Sequence, residues 1–366
     1  IIVEALKKEG VDTVFAYTGG AVISIFDELY RYGKGIRLVQ TRHEQAGTHA
    51  ADGYARATGK PGVVLVTSGP GSTNTITGIA TAYMDSVPMV ILTGQVSTEM
   101  IGSDAFQEVD TTGMTQAITK ANFLVTDIEQ LAMTMKKAFH LATSGRKGPV
   151  LVDIPSDLQR ASTDFLYPER VDISGYHPSE TDHPKLTARF LSEIQRAKKP
   201  LILSGGGVLR ARAAELVNRF SRCWGIPVVT TLQGHGIYPN GDLYLSGIGM
   251  HGTVYGNYAM QQTDLLIALG VRFSDRITGK RETFCPKARI VQVDIDPAEI
   301  DKNVPVDIPI VGDLHQVLTE WLNVTPSGTD FGDWRGDLNE KRMQFPLAYH
   351  DGGKIKPQYL IELLNR

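Results

Sequence analysis

The sequence predicts an α/β protein of two doubly wound, mainly parallel-sheet domains, followed by the start of a truncated third. Short β-branched runs alternate with amphipathic helical stretches along most of the chain, which is the pattern of βαβ units. Several of those runs are apolar on both faces, as strands buried in a parallel sheet are. The chain has 366 residues, 42% of them hydrophobic and 21% charged. At about 150 residues per domain this is a length for two or three domains, with a composition able to bury a large core.

In the first half the candidate strands are residues 13–17, 35–40, 62–67, 88–93, 122–125 and 150–154, with helices between them. Residues 127–142 carry the clearest helical signal. Ile128, Leu131, Ala132, Met135, Ala138, Phe139 and Ala142 recur at helical spacing, Lys136 and Lys137 fall on the other face, and Gly145 follows as a stop. The stretch 165–184, with three prolines and no sustained period, reads as an ordered surface linker. A second α/β set then follows: helix 186–197, strand 200–204, a glycine triplet, helix 210–224, and strands 227–231, 265–269, 290–294 and 308–311. After Trp321 the chain turns polar and glycine-rich, a helix is expected around 338–344, and the last fifteen residues read as the first helix of a further unit. The expected domains are therefore 1–164 and 185–325, with a linker over 165–184 and, over 326–366, a linker and the beginning of another domain.

Charge and composition exclude several classes of function. The 37 basic and 40 acidic residues leave a net charge of −3 without long runs of either sign, so there is no electrostatic footprint for nucleic acid or an anionic bilayer. No apolar run approaches the roughly 18 residues of a membrane span. Cys223 and Cys285 form neither a CxxC motif nor a disulfide framework, and the nine histidines show no metal-ligand spacing. Small-molecule chemistry is the expectation. The chain opens at Ile1 and its first methionine is Met84, so the native N-terminus is expected to be absent and a removed targeting peptide stays open.

Three segments could carry chemistry. In VFAYTGGAVISIF (14–26) a strand runs into Gly19-Gly20 and a helix, where paired glycines let a ligand approach a helix N-terminus or simply make a tight turn. In TRHEQAGTHAADGYARATGKPG (41–62), Glu44 opens a helix of small residues. Such a glutamate ordinarily serves the helix dipole or a capping box, but one held between apolar layers can keep a proton and pass it to a ring nitrogen. In VTSGPGSTNTITGIATAYMDSVPMVILTGQ (66–95) a buried strand enters a Gly-Pro-Gly turn and a helix with Asn74, then a second strand ends in Gly94-Gln95. In open α/β sheets ligands bind at such strand ends.

RHEQ and the HAADGYARATGKPG stretch, then TSGPGSTN, TGQ and DAFQE, resemble the pyrimidine-binding domain of thiamine-diphosphate enzymes. SGGGV, TTLQGHG, GMHGT, ALGVRFSDRITG and VQVDIDPAEIDKN extend the likeness over nearly the whole chain, to the catalytic subunit of acetohydroxyacid synthases, also called acetolactate synthases, and their central FAD-binding domain. The resemblance implies that Glu44 hydrogen-bonds N1′ of the aminopyrimidine, acid–base help worth roughly 10²–10⁴ in rate. It places Gly20 and Ala21 near the reacting centre, Pro70 and Asn74 at the pyrimidine, and Phe106 and Gln107 in the access channel. Flavin contacts carry over to Arg146, Gly205, Gly206, Gly207, Thr231, Leu232, Met250, His251, Gly270, Arg272, Asp275, Arg276, Asp294, Ile295, Gly312 and Asp313. Arg276 is also a candidate contact for the second 2-ketoacid, against the plainer alternative of a solvated ion pair.

The implied activity is decarboxylation of pyruvate and its ligation to pyruvate or 2-ketobutyrate, in branched-chain amino acid biosynthesis. Its cofactors would be thiamine diphosphate, structural FAD and Mg²⁺. A homodimer or tetramer is implied, a regulatory small subunit is admitted, and a bacterial cytoplasm is the default compartment with plastid and mitochondrion open. Thr18, Ser97 and Ser156 stand where the family usually has proline, proline and lysine, with Glu99 two residues after Ser97; these touch the shape of the substrate channel. The sequence contains no Gly-Asp-Gly motif, which the family uses for Mg²⁺ and the diphosphate, so the expectation is an inactive fragment of an enzyme. Two alternatives remain: a sister thiamine-diphosphate carboligase or decarboxylase with another acceptor, and a non-catalytic nucleotide-binding module of the same fold.

Overall fold

The computed structural model describes residues 1–178, 184–324, 328–350 and 352–366, so parts of the expected linker and of the C-terminal stretch (179–183, 325–327 and 351) lie outside the described residues. The chain divides into two compact units, Ile1–Pro178 and Ser179–Arg366. In the first, β1 (Thr13–Ala16), β2 (Arg37–Gln40), β3 (Gly62–Val66), β4 (Met89–Gln95), β5 (Ala121–Leu124) and β6 (Pro149–Pro155) form one sheet in the order β2-β1-β3-β4-β6-β5. Every pairing is parallel. Helices α1 (Ile2–Lys8), α2 (Ile23–Tyr32), α3 (Glu44–Thr58), α4 (Pro70–Thr73), α5 (Ile76–Met84), α6 (Thr111–Thr115) and α7 (Leu131–Thr143) accompany it.

The apolar runs of β3, β4 and β6 are buried at every residue, because helices cover both faces of a parallel sheet. Leu65 and Leu92 pack with Met135 and Phe139 of α7 on one face, while Val64 and Ile91 pack with Ala51 of α3 and Ile79 of α5 on the other. Strand β2 departs from this pattern: Arg37, Leu38 and Gln40 are exposed, since β2 is a sheet edge and its charged and polar ends face solvent. The expected helix 127–142 begins as a 3₁₀ turn over Ile128–Gln130, with the Asp127 carboxylate accepting from the Glu129 N–H, before α7 proper starts at Leu131.

The second unit repeats the architecture. Strands β7 (Pro200–Ser204), β8 (Val228–Thr230), β9 (Tyr244–Gly247), β10 (Leu265–Leu269), β11 (Arg289–Asp294) and β12 (Ile308–Val311) lie in the order β12-β11-β10-β7-β8-β9, again all parallel. Its helices are α8 (Pro184–Arg196), α9 (Gly206–Arg210), α10 (Ala214–Trp224), α11 (Val254–Gln262), α12 (Asp275–Thr278), α13 (Leu314–Trp321), α14 (Gly332–Gln344) and α15 (Pro357–Leu364). Phe190 of α8 stacks on Trp321 of α13 with ring centroids 3.9 Å apart, and Phe220 of α10 closes the cluster at 5.4 Å from Trp321.

Three elements differ from the sequence expectation. The helix expected over 210–224 starts only at Ala214, while a separate helix, α9, takes in the glycines from Gly206 and ends at Arg210, because Arg212 adopts φ +52° and breaks the path between them. Strand β9 was not anticipated; it is short, partly exposed and joined to β8 through an irregular register. Helix α14 starts at Gly332 rather than near 338, and its polar sequence hides a narrow apolar stripe. Phe331, Trp334 and Leu338 are buried in the core of the second unit, with the Trp334 indole donating to the Pro200 carbonyl at 3.1 Å.

Candidate functional site

Each sheet reverses its winding direction near its centre, and crevices at such switch points are where open α/β sheets bind ligands. In the first unit that place lies between β1 and β3. The turn after β1 and the turn after β3 touch there: a Cβ on Gly19 would collide with Thr67, and the Ala21 N–H donates to Thr67 Oγ1 at 3.2 Å. Gly20 faces open space, with no atom within 4 Å of where a side chain would begin.

Glu44 enters the same region from the next strand over, at the first position of α3 immediately after the β2 turn. His43 caps the helix by accepting the Gln45 N–H on Nδ1 at 3.1 Å, which leaves the glutamate carboxylate unused for capping. Glu44 is 9% exposed. Its Oε2 accepts from Asn74 Nδ2 at 2.9 Å, while among the described residues Oε1 takes no hydrogen bond. A Cβ on Gly71 would stand 3.6 Å from that Oε1 and 2.7 Å from Thr67 Cγ2, so glycine keeps the surroundings of the oxygen clear. Pro70 occupies the first turn of α4, where its missing N–H is not needed. The fold thus brings together Glu44, Asn74, Pro70 and the Gly19–Ala21 turn around Thr67.

Phe106 and Gln107 lie on the loop between β4 and α6. Gly102, Asp104 and Gln107 all have positive φ, at 84°, 57° and 59°, and the Glu108 carboxylate accepts the Gly102 and Ala105 N–H groups, which hold its carboxyl below the ordinary range. The loop presents Phe106 88% exposed. Gly69, at φ +59°, allows the Gln107 backbone to pass closely, since a Cβ there would come within 2.7 Å of the Gln107 carbonyl oxygen. The loop therefore abuts the turn that holds Pro70.

In the second unit the switch point lies between β7 and β10. The candidate cofactor residues fall at the carboxyl ends of the six parallel strands. Gly205, Gly206 and Gly207 follow β7, Thr231 and Leu232 follow β8, and Met250 and His251 follow β9. Gly270, Arg272, Asp275 and Arg276 follow β10, Asp294 and Ile295 close β11, and Gly312 and Asp313 follow β12. The turns after β7 and β10 pack backbone against backbone, with the Gly205 N–H donating to Leu269 O at 2.9 Å and the Gly207 N–H to Gly270 O at 3.2 Å. Gly270 has φ +60°, and a Cβ on it would lie 2.6 Å from Gly207 Cα. These glycines are required by close approach. Leu232 and Met250 are exposed apolar side chains at this rim.

Two of these candidates also have structural roles. Asp313 is the N-cap of α13, accepting from the His315 N–H at 2.8 Å, and Asp294 accepts the Asp296 N–H at 3.0 Å. Arg276 pairs with Asp275 at 3.8 Å with both side chains largely exposed, a geometry of little energetic weight. Arg146 belongs to the first unit. It lies on the turn entering β6, at the amino ends of the strands rather than the carboxyl ends where Glu44 sits, and donates from Nε to Ser86 Oγ at 3.0 Å.

Sequence reasoning missed Thr67, whose side chain is the meeting point of the two turns, and a buried carboxyl two strands away. Asp153 of β6 is 1% exposed; it accepts from Thr93 Oγ1 at 2.6 Å and Gln95 Nε2 at 2.9 Å. Burial pushes its carboxyl up to about 7. The only signal in the sequence is an aspartate inside an otherwise apolar strand, VLVDIP.

Both units have counterparts among known proteins. Residues 1–114 match the thiamine pyrophosphate enzyme N-terminal TPP binding domain, and residues 187–321 match the central domain of the same enzymes. The chain is 45% identical to the acetolactate synthase large subunit of Haemophilus influenzae over 375 aligned positions, covering all of the chain and 65% of that protein. It is 46% identical to the large subunit of Corynebacterium glutamicum, covering 100% of the chain and 59% of the relative. It is 47% identical to the chloroplastic acetolactate synthase of Arabidopsis thaliana, covering 100% and 55%. The chain thus spans roughly 60% of the length of these relatives. Taken with the two parallel α/β sheets, these matches show that the chain carries the N-terminal and central domains of thiamine pyrophosphate enzymes.

Proposed function

We propose that this chain supplies the pyrimidine-binding and FAD-binding parts of an acetolactate synthase, which decarboxylates pyruvate and ligates the remaining two-carbon unit to pyruvate or 2-ketobutyrate. The observation that carries the reading is Glu44: a carboxylate buried at a strand end, held by Asn74 through one oxygen, with the other oxygen left without a protein partner. An oxygen fixed in place by Asn74 on its neighbour and left open on its own side can accept from a ring nitrogen that bears a hydrogen. Thiamine diphosphate, when bound, supplies the electron sink for decarboxylation.

The residues present suit such a heterocycle. Gly20 and Gly71 leave room where side chains would intrude, Pro70 presents an apolar ring on the turn, and Asn74 orients the glutamate. Glu44 holds or releases a proton at Oε1. In the second unit, Gly205, Gly206, Gly207 and Gly270 bring main chain close to the strand ends, as a pyrophosphate requires, and Asp294 is placed at the end of β11 as a ribose hydroxyl partner is. FAD is the group we assign there. Mg²⁺ would be bound with the diphosphate outside the residues named here; among the described residues no cluster of three or more His, Cys, Asp or Glu could hold a metal ion. A homodimer is the expected assembly.

The test is acetolactate formation from pyruvate by the protein encoded by the complete reading frame, with thiamine diphosphate, Mg²⁺ and FAD supplied. The reading expects product that depends strictly on thiamine diphosphate. Absence of acetolactate with every cofactor present overturns it.

A further inference from the structure

We propose that Gln95 and Asp153 are positioning residues that clamp the loop carrying Phe106 and Gln107 against the turn beside Glu44. The inference deepens the proposed function, since it takes that loop as one wall of the site. Gln95 is the last residue of β4 and 3% exposed. Its Nε2 donates both to Asp153 Oδ2 and to the Val109 carbonyl, each at 2.9 Å, and its Oε1 accepts the Val96 N–H at 2.9 Å. One side chain thus holds the chain where it leaves the sheet, at Val96, and where it comes back, at Val109. Twelve residues lie between these two points, a loop whose closure costs entropy that the side chain of Gln95 helps to offset.

Asp153 supplies the rigid end of the clamp. It pairs in register with Thr93 across β4 and β6, and its other oxygen takes the Thr93 hydroxyl at 2.6 Å, so the carboxyl is fixed from both sides within the sheet. From Val109 the restraint continues in two directions. Thr111, two residues on, donates from Oγ1 to Ser72 Oγ at 3.2 Å, and Ser72 in turn donates to the Gly69 carbonyl at 2.9 Å. Gln107, two residues back, lies against Gly69. The clamp therefore ties the strand ends, the loop and the Gly69–Pro70 turn into one unit, with Glu44 on its far side across Gly71.

The experiment compares amide hydrogen exchange of residues 102–109 with that of β3 and β4 in the wild type and in Gln95→Asn, Gln95→Met and Asp153→Asn. Shortening by one methylene in Gln95→Asn prevents the side chain from reaching Asp153 and Val109 together, and Gln95→Met removes both bonds while keeping the length. Asp153→Asn preserves both contacts, since its carbonyl oxygen accepts from Gln95 and its amide donates to Thr93. The clamp predicts at least tenfold faster exchange of 102–109 in both Gln95 variants, β3 and β4 unchanged, and near-wild-type exchange in Asp153→Asn. In the complete protein it also predicts that the Gln95 variants lower kcat for acetolactate by about tenfold or more, with Asp153→Asn close to wild type near neutral pH. Loop exchange unaltered in both Gln95 variants overturns the proposal, and so does loosening of β3 and β4 to the same degree as the loop. The exchange measurement needs no cofactor or substrate, so a failed clamp in an active enzyme leaves the proposed function standing, and an inactive wild type leaves the clamp standing.

Discussion

Replacing Asp153 by asparagine should stabilise the first unit, and the gain should grow with pH. Asp153 is 1% exposed, and burial outweighs the hydrogen bonds from Thr93 and Gln95, with the nearby Asp110 charge adding to the same effect, so its carboxyl is raised from the ordinary 3.8 to about 7. A carboxyl whose folded-state value is raised binds its proton more tightly in the folded state. Stability therefore falls as pH rises from the unfolded value towards the folded one, and the loss is complete above about pH 7. A difference of about three units corresponds to on the order of 4 kcal/mol, of which about 2–3 kcal/mol falls between pH 5 and pH 8. Asparagine has nothing to ionise there and keeps both neighbours hydrogen-bonded. The assay is urea denaturation at pH 5 and pH 8, followed by amide exchange of β4 and β6. Tryptophan fluorescence serves as the control, because Trp224, Trp321 and Trp334 all belong to the second unit. The variant should gain about 2–3 kcal/mol on the wild type on going from pH 5 to pH 8. A difference between variant and wild type that is the same at both pH values would refute the reasoning.

Further expectations concern the second unit. Gly270→Ala places a Cβ 2.6 Å from Gly207 Cα on a residue with φ +60°, so it should cost at least about 1 kcal/mol in backbone strain and lower FAD retention, read from flavin absorbance of the purified protein. Trp321→Ala removes the ring stacked on Phe190 and should destabilise the unit by about 3–5 kcal/mol in urea denaturation. Burial pushes the Cys285 thiol up to about 12, whereas Cys223 is exposed. Iodoacetamide at pH 8 should therefore label Cys223 within minutes and Cys285 only on unfolding, as mass spectrometry of the peptides will show.

The centre of each sheet was readable because its strands are continuous apolar runs closed by glycine turns, as in GVVLV before TSGPG and PLILS before the Gly205–Gly207 triplet. What escaped were elements whose fate depends on distant partners. Strand β9 has no apolar run of its own and forms by pairing with β8. The polar sequence of α14 conceals Trp334, whose burial requires the Pro200 carbonyl from β7. At the site, the positions of the turns at strand ends followed from their glycines, and Glu44 stood out as a carboxylate in an odd place. The bonds that hold it did not. Nothing in the spacing of Glu44 and Asn74, thirty residues apart, states that their side chains meet, and Thr67 becomes visible only when the turns after β1 and β3 are seen to touch. Likewise Asp153 reads as one polar residue in a strand until Thr93 and Gln95 come alongside from β4.

The central claim is that the free oxygen of Glu44 manages a proton on the aminopyrimidine of thiamine diphosphate. Its most direct measurement is the rate of acetolactate formation by Glu44→Gln in the complete protein. The replacement amide still accepts from Asn74 through its carbonyl oxygen, so folding and melting temperature should change little. We expect kcat to fall by roughly 10²–10⁴. A variant that turns over pyruvate at the wild-type rate would contradict the account.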